Sequence, residues 1–253
     1  MKSIQKAAYI LGLITLVSCN KNAYRNSEIS GKRIPVDQQI KEDTAITNFI
    51  QPYKKHINAT LDSILAFNPT SLSKTDGILN TAIGNLMADI VMEQASPVFK
   101  NRTGEDINMV LLNHGGIRST LNKGNITARS AYALMPFENE IVVAELKGSR
   151  IQEMLRYLED AGTPHPVSGI KIQVDNNYKL TMAKIDGREI DSNRNYFVAT
   201  SDYLQQGGDN MNFFKNPVTL YNLDYKLRNA IIDYFEKVDT LDAKIDDRYI
   251  MID

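Results

Sequence analysis

Three stretches of the chain hold side chains whose types and spacing could do chemistry. They are Asn113-His114-Gly115-Gly116-Ile117-Arg118, Pro136-Phe137-Glu138-Asn139 and Tyr203-Leu204-Gln205-Gln206-Gly207-Gly208-Asp209. Each adjoins an apolar run with strand character, and glycine lets backbone pass close to another group there. Phe137 and Tyr203, on separate loops, can close on the two faces of a flat ring. Asp209 can accept two hydrogen bonds from vicinal hydroxyls. Asn139 can both donate to and accept from the edge of a heterocycle. Arg118 offers a planar guanidinium suited to phosphate. A plainer role is also open to several of these: Phe137 as core, Tyr203 as an ordinary loop aromatic, Asp209 as a turn former or helix cap. The chain has no G-x-S-x-G elbow, no P-loop and no carboxylate pair placed for acid–base work. Its three histidines, His56, His114 and His165, read as a helix-surface residue, a residue at the edge of the presumed site and loop scaffolding between two prolines.

The elements that must hold these loops follow from hydrophobic spacing. Residues 63–67, 108–113, 140–146, 170–174, 178–185 and 196–200 read as strands. Helices are expected over 79–92, from Thr127 as cap through Met135, after Lys147-Gly-Ser149, and over 223–238. A further amphipathic helix carries Ile40, Ile46, Phe49, Ile50, Tyr53 and Ile57, with Asp37 as candidate cap and Pro52 inside. Strands interleaved with helices predict an α/β fold, a mixed β-sheet with flanking helices. The short gap between 174 and 178 predicts an antiparallel hairpin.

Composition sets the outer limits. The 253 residues are 43% hydrophobic and 23% charged, with net charge −1. That is ordinary globular composition with no electrostatic pull toward nucleic acid as a polymer. Met1–Lys6 is basic and is followed by an apolar run to Val17 too short for a stable span. This predicts a signal peptide over residues 1–18. Leu16-Val17-Ser18-Cys19 resembles a bacterial lipobox, whose cysteine is lipidated, and Cys19 is the one cysteine in the chain. A polar tether is expected over 19–35 and the folded domain over 36–253. The expectation is an exported lipoprotein, anchored through its lipid to a bacterial membrane and facing the periplasm or cell surface.

The set GNLMAD (84–89), NHGGIR (113–118), N-x-G-x-I-T (122–127), PFEN (136–139) and TSDYLQQGGDN (200–210) resembles, in order and spacing, the C-terminal domain of the bacterial 5′-nucleotidase and UDP-sugar hydrolase family. The resemblance spans roughly residues 45–216. It implies that Phe137 and Tyr203 clamp a nucleobase, that Asn139 contacts the base and that Asp209 holds the ribose hydroxyls. It also implies that Asn113 and Arg118 approach the base or ribose and the phosphate. Departures accompany it. Ser71–Leu79 has Lys74 where the family carries two arginines, so phosphate contacts are expected to be weaker than base and ribose contacts. His114 and Glu138 each stand where the family has glycine, and Glu138 is expected to add negative charge beside the clamp.

Full-length members also carry an N-terminal metallophosphatase domain with two metals. Residues 1–35, read as signal and tether, leave no room for it, and no D-x-H, G-N-H-E or G-H-x-H occurs. No cofactor is expected in this chain and no catalysis from it alone. The expectation is a split 5′-nucleotidase, in which this chain recognises the nucleotide or nucleoside and a separate metallophosphatase chain supplies a divalent metal pair. A non-catalytic lipoprotein that binds nucleosides or nucleotides for scavenging, or a relic whose clamp no longer binds, kept as an interaction or structural lipoprotein, are the other readings.

Overall fold

The strands expected at 140–146 and 196–200 form and pair with each other, and the main sheet is built outward from them. In the computed structural model, which describes residues 30–37 and 40–252, the strands are β1 (Ile64–Asn68), β2 (Met109–Leu111), β3 (Gly124–Thr127), β4 (Glu140–Lys147), β5 (Val167–Ser168), β6 (Ile170–Val174), β7 (Leu180–Ile185), β8 (Arg188–Glu189), β9 (Asn195–Ser201), β10 (Thr219–Lys226) and β11 (Tyr249–Met251). The helices are α1 (Thr44–Leu61), α2 (Ala82–Thr103), α3 (Ala128–Leu134), α4 (Gly148–Ala161), α5 (Asp202–Gln205) and α6 (Leu227–Lys237). The contacts divide the chain after Phe49.

Up to Phe49, residues 30–37 are exposed and carry no helix or strand. Helix α1 begins at Thr44, not near Asp37. Its cap is Asp43, whose Oδ1 accepts from the N–H groups of Ala45 (2.8 Å) and Ile46 (3.3 Å). That satisfies donors the first helical turn leaves open. No residue of α1 is buried, so its apolar stripe does not enter a core. The first buried side chain among the described residues is Ala66. Cys19, residues 1–18 and most of the expected tether lie outside the described residues.

From Ile50 onward the chain forms three sheets. The largest has strand order β10-β4-β9-β2-β5, with β2 parallel to β9 and the other neighbours antiparallel. A second, β11-β6-β7-β8, contains the expected hairpin as the antiparallel β6–β7 pair. β1 and β3 pair separately. The fold is therefore mixed α/β, as the alternation of patterns predicts. Helix α2 lies against the main sheet and buries Ile83, Met87, Ile90, Val91 and Phe99. Thr81 Oγ1 caps it by accepting from the Gly84 N–H at 3.1 Å, and Gly104 ends it at φ 80°, a conformation suited to glycine. It continues past the expected end at Met92, through Pro97, to Thr103. Helix α4 buries Ile151, Met154, Leu155 and Leu158 in a second cluster with β6 and β7.

Strands β3, β5, β8, β10 and β11 were not expected. β10 is the sheet's edge, half-exposed, with a register shift between Asn222 and Lys226 where Asp224 takes φ 51°. Its last residues fall in the stretch expected to be helical from 223; the helix itself starts at Leu227.

A candidate ligand cleft at one edge of the sheet

Sheet order explains why three distant loops meet. β4, β9 and β2 are neighbours. β9 and β2 run parallel, so their C-terminal ends share one edge. β4 is antiparallel to β9, with Ile141 opposite Ser201, so its N-terminal start lies at that same edge. The loop after β2 carries Asn113 to Arg118. The loop before β4 carries Phe137 and Asn139. The turn after β9 carries Tyr203 and Asp209. Strand ends of this kind are where open α/β sheets place ligands.

All six residues singled out for recognition, Asn113, Arg118, Phe137, Asn139, Tyr203 and Asp209, line one cleft of about 300 Å³, together with Gly115 and Gly116. The two rings remain 42% and 45% exposed, so each presents a face to the cleft's surroundings rather than filling the core. Arg118 donates to Gly115 O at 3.2 Å, and its guanidinium carbon stands 5.8 Å from the Phe137 ring centre.

Asp209 is the hub. Its Oδ2 accepts from Asn113 Nδ2 at 2.6 Å and its Oδ1 from Tyr203 Oη at 2.8 Å. Its carbonyl accepts from Tyr157 Oη at 3.0 Å. These bonds hold Asp209 at φ 51°, a left-handed conformation that costs a non-glycine residue roughly 1–2 kcal/mol. The bond to Asp209 also raises the Tyr203 hydroxyl's pKa, because a carboxylate partner disfavours a phenolate. Gly208 must be small here: a Cβ would lie 2.5 Å from Cε1 and Cζ of Tyr203. Short helix α5 sets the ring's direction, capped by Ser201 Oγ accepting from Leu204 N–H.

Beneath the glycine turn lies a histidine pair. His165 is 6% exposed, and its Nδ1 accepts the His114 N–H at 3.2 Å. Burial first, and then the neighbouring His114, push its pKa down to about 4. His114 is lowered as well, by burial and then by the charge of Lys74. Lys74 thus reaches the vicinity of the site without lining the cleft. His165, read from the sequence as loop scaffolding, is a buried hydrogen-bond acceptor in that loop.

Glu138 does not add free negative charge to the clamp. Its carboxylate is bound by both Lys226 and Arg228, and those hydrogen bonds hold its pKa at about 2. Arg228, Lys226 and Tyr157 support the site but carried no sequence signal, since each lies far along the chain from the residue it holds. Among the described residues no group of three or more His, Cys, Asp or Glu side chains could hold a metal ion. The donor set of a two-metal centre is not found there.

These features define the class: a mixed α/β domain whose cleft is made by loops at one edge of the sheet. The family profile described as "5′-nucleotidase, C-terminal domain" matches residues 59–216. The chain belongs to that family. It is 24% identical over 231 residues to the 5′-nucleotidase of Vibrio vulnificus (strain CMCP6), a match that covers 88% of this chain and 40% of that protein. It is 26% identical over 259 residues to the cell wall protein Lmo0130 of Listeria monocytogenes, covering 85% of this chain and 32% of that protein. The chain thus spans about two-fifths or less of these relatives. Among solved structures, a 5′-nucleotidase precursor from Thermus thermophilus superposes with a TM-score of 0.68 at 21% identity, over 83% of this chain and 44% of that one. The NAD nucleotidase of Haemophilus influenzae gives 0.62 at 18%, over 83% and 41%. At these identities the two structures establish the fold.

Proposed function

We propose that this domain recognises the nucleoside part of a nucleotide within a split 5′-nucleotidase, whose two-metal phosphatase centre is supplied by a separate metallophosphatase chain. Phe137 and Tyr203 stack on the base, Asn139 reads its edge and Asp209 accepts from the ribose hydroxyls. Asn113 and Arg118 face the ribose and the first phosphate. The observation that carries this reading is the convergence of all six residues on one cleft from three loops. The phosphoryl chemistry belongs to the metals of the partner, which activate the nucleophile and clamp the transferring oxygens when bound. Residues of this chain bind and orient. Lipidation of Cys19 would tether the chain to a membrane, where a partner held in the same way meets it at raised effective concentration.

Pull-down of the native chain from membranes tests the split arrangement. Recovery of a metallophosphatase, and phosphatase activity that appears only when it is added back, is the expected result. Substantial metal-dependent activity from the repurified chain alone would refute it. A second reading, a non-catalytic nucleoside binder for scavenging, draws on the cleft's single described lining cation, Arg118. It predicts adenosine binding with no recoverable phosphatase partner.

A further inference from the structure

The Phe137 residue is 42% exposed, so the main chain of its loop takes a large part in fixing its ring. Three consecutive residues where β10 passes into α6 hold that loop. Leu227 N–H donates to Asn139 O at 3.0 Å. Arg228 Nη1 donates to Phe137 O at 3.2 Å, with Met135 O at 3.5 Å. Arg228 Nη2 and Lys226 Nζ both bind the Glu138 carboxylate. Arg228 is 4% exposed, and its guanidinium sits 4.2 Å from the centre of the Tyr132 ring. Its two Nη groups and the nearby ring offset burial of the cation, while its buried Nε has no hydrogen-bond partner, and a lysine ammonium lacks the planar fork that reaches carbonyl and carboxylate together.

We propose that Arg228 is a positioning residue for Phe137, gripping the backbone of the 135–139 loop from α6, with Glu138 as the loop-side half of the grip. This rests on the nucleoside-binding reading above. It adds a device that couples the cleft to the sheet's edge strand and last long helix. The Glu138 carboxylate stays ionised down to about pH 2, so the grip persists across ordinary pH.

The test is calorimetric titration of the full chain with adenosine, for wild type, Arg228→Lys, Phe137→Leu and the double variant. Arg228→Lys is expected to weaken binding about tenfold, the order of cost for re-ordering a loop on binding. The double variant should bind no more than about twofold worse than Phe137→Leu, because the arginine acts through the ring. Losses that multiply in the double variant overturn the proposal. Hydrogen exchange supplies a ligand-free readout: the Leu227 N–H should exchange faster in Arg228→Lys by more than any loss of global stability in urea accounts for. Should Arg228→Lys fail to fold, Glu138→Gln on the exposed side of the grip replaces it, with the same non-additivity expected. If wild type binds no nucleoside, the nucleoside reading fails. The positioning claim then stands or falls on exchange alone, and unchanged exchange at Leu227 overturns it.

Discussion

Mild acid should destabilise this domain through one buried histidine, His165. His165 is buried, its ring 5.5 Å from that of Tyr157, and its Nδ1 must stay unprotonated to accept the His114 N–H. Asp209 favours the charged form, but burial and His114 outweigh it, and the folded pKa is about 4 against 6.5 for a free imidazole. The unfolded chain therefore takes up a proton near pH 6.5 and the folded chain does not until about pH 4. The stability from neutral His165 is fully present above 6.5 and is lost as pH falls toward 4. The slope is about 1.4 kcal/mol per pH unit, so the loss across the window totals about 3 kcal/mol. That is a large share of the roughly 5–15 kcal/mol that holds a domain folded. His114, lowered for the same first reason, acts with the same sign. Urea unfolding followed by circular dichroism, from about pH 7 to about pH 4.5, measures it. His165→Gln, which keeps a side-chain acceptor without a titrating ring, should flatten the slope. Parallel curves for wild type and variant, or an NMR-measured His165 pKa near 6.5, would refute the argument. Because this bond fixes the turn that lines the cleft, nucleoside affinity should fall across the same pH window.

Other outcomes follow from the same contacts. Phe137→Ala and Tyr203→Ala should each weaken adenosine binding by about 1–3 kcal/mol in calorimetry, the value of one stacked base. Gly208→Ala should swing the Tyr203 ring aside, since the new Cβ would overlap it, and lower affinity while urea stability stays within about 0.5 kcal/mol. Tyr157→Phe should cost about 0.5–1.5 kcal/mol of stability through the lost bond to the Asp209 carbonyl, and weaken binding as Asp209 relaxes from its left-handed conformation.

The candidate site was legible in the chain to an unusual degree because its members sit in short contiguous motifs. Asn113, Arg118, Phe137, Asn139, Tyr203 and Asp209 have the donors, rings and charge that recognition needs, and glycines beside them announce close backbone approach. Their supports were not legible. Arg228 bonds a residue 90 positions away, and Tyr157 one 52 positions away. No local pattern encodes such a pairing. The edge strand β10 was missed because most of its residues are exposed or half-exposed on both faces, so nothing imposes the apolar–polar alternation that marks a half-buried strand. The stripe on α1 shows the opposite failure. Helical spacing predicts which face is apolar, not whether its residues are buried.

The sequence by itself determined the periodicities of helix and strand, the turns, and the identity of the groups that can recognise a ligand. These depend on residues a few positions apart, where backbone geometry dictates neighbours. The tertiary structure alone decided that β2 and β9 run parallel with β4 against them, and so brought three loops to one edge. It also decided that Glu138's charge is cancelled and that His165 is a buried acceptor. Charge state and proximity depend on solvent exclusion and on partners far along the chain, and those exist only once the sheet has closed.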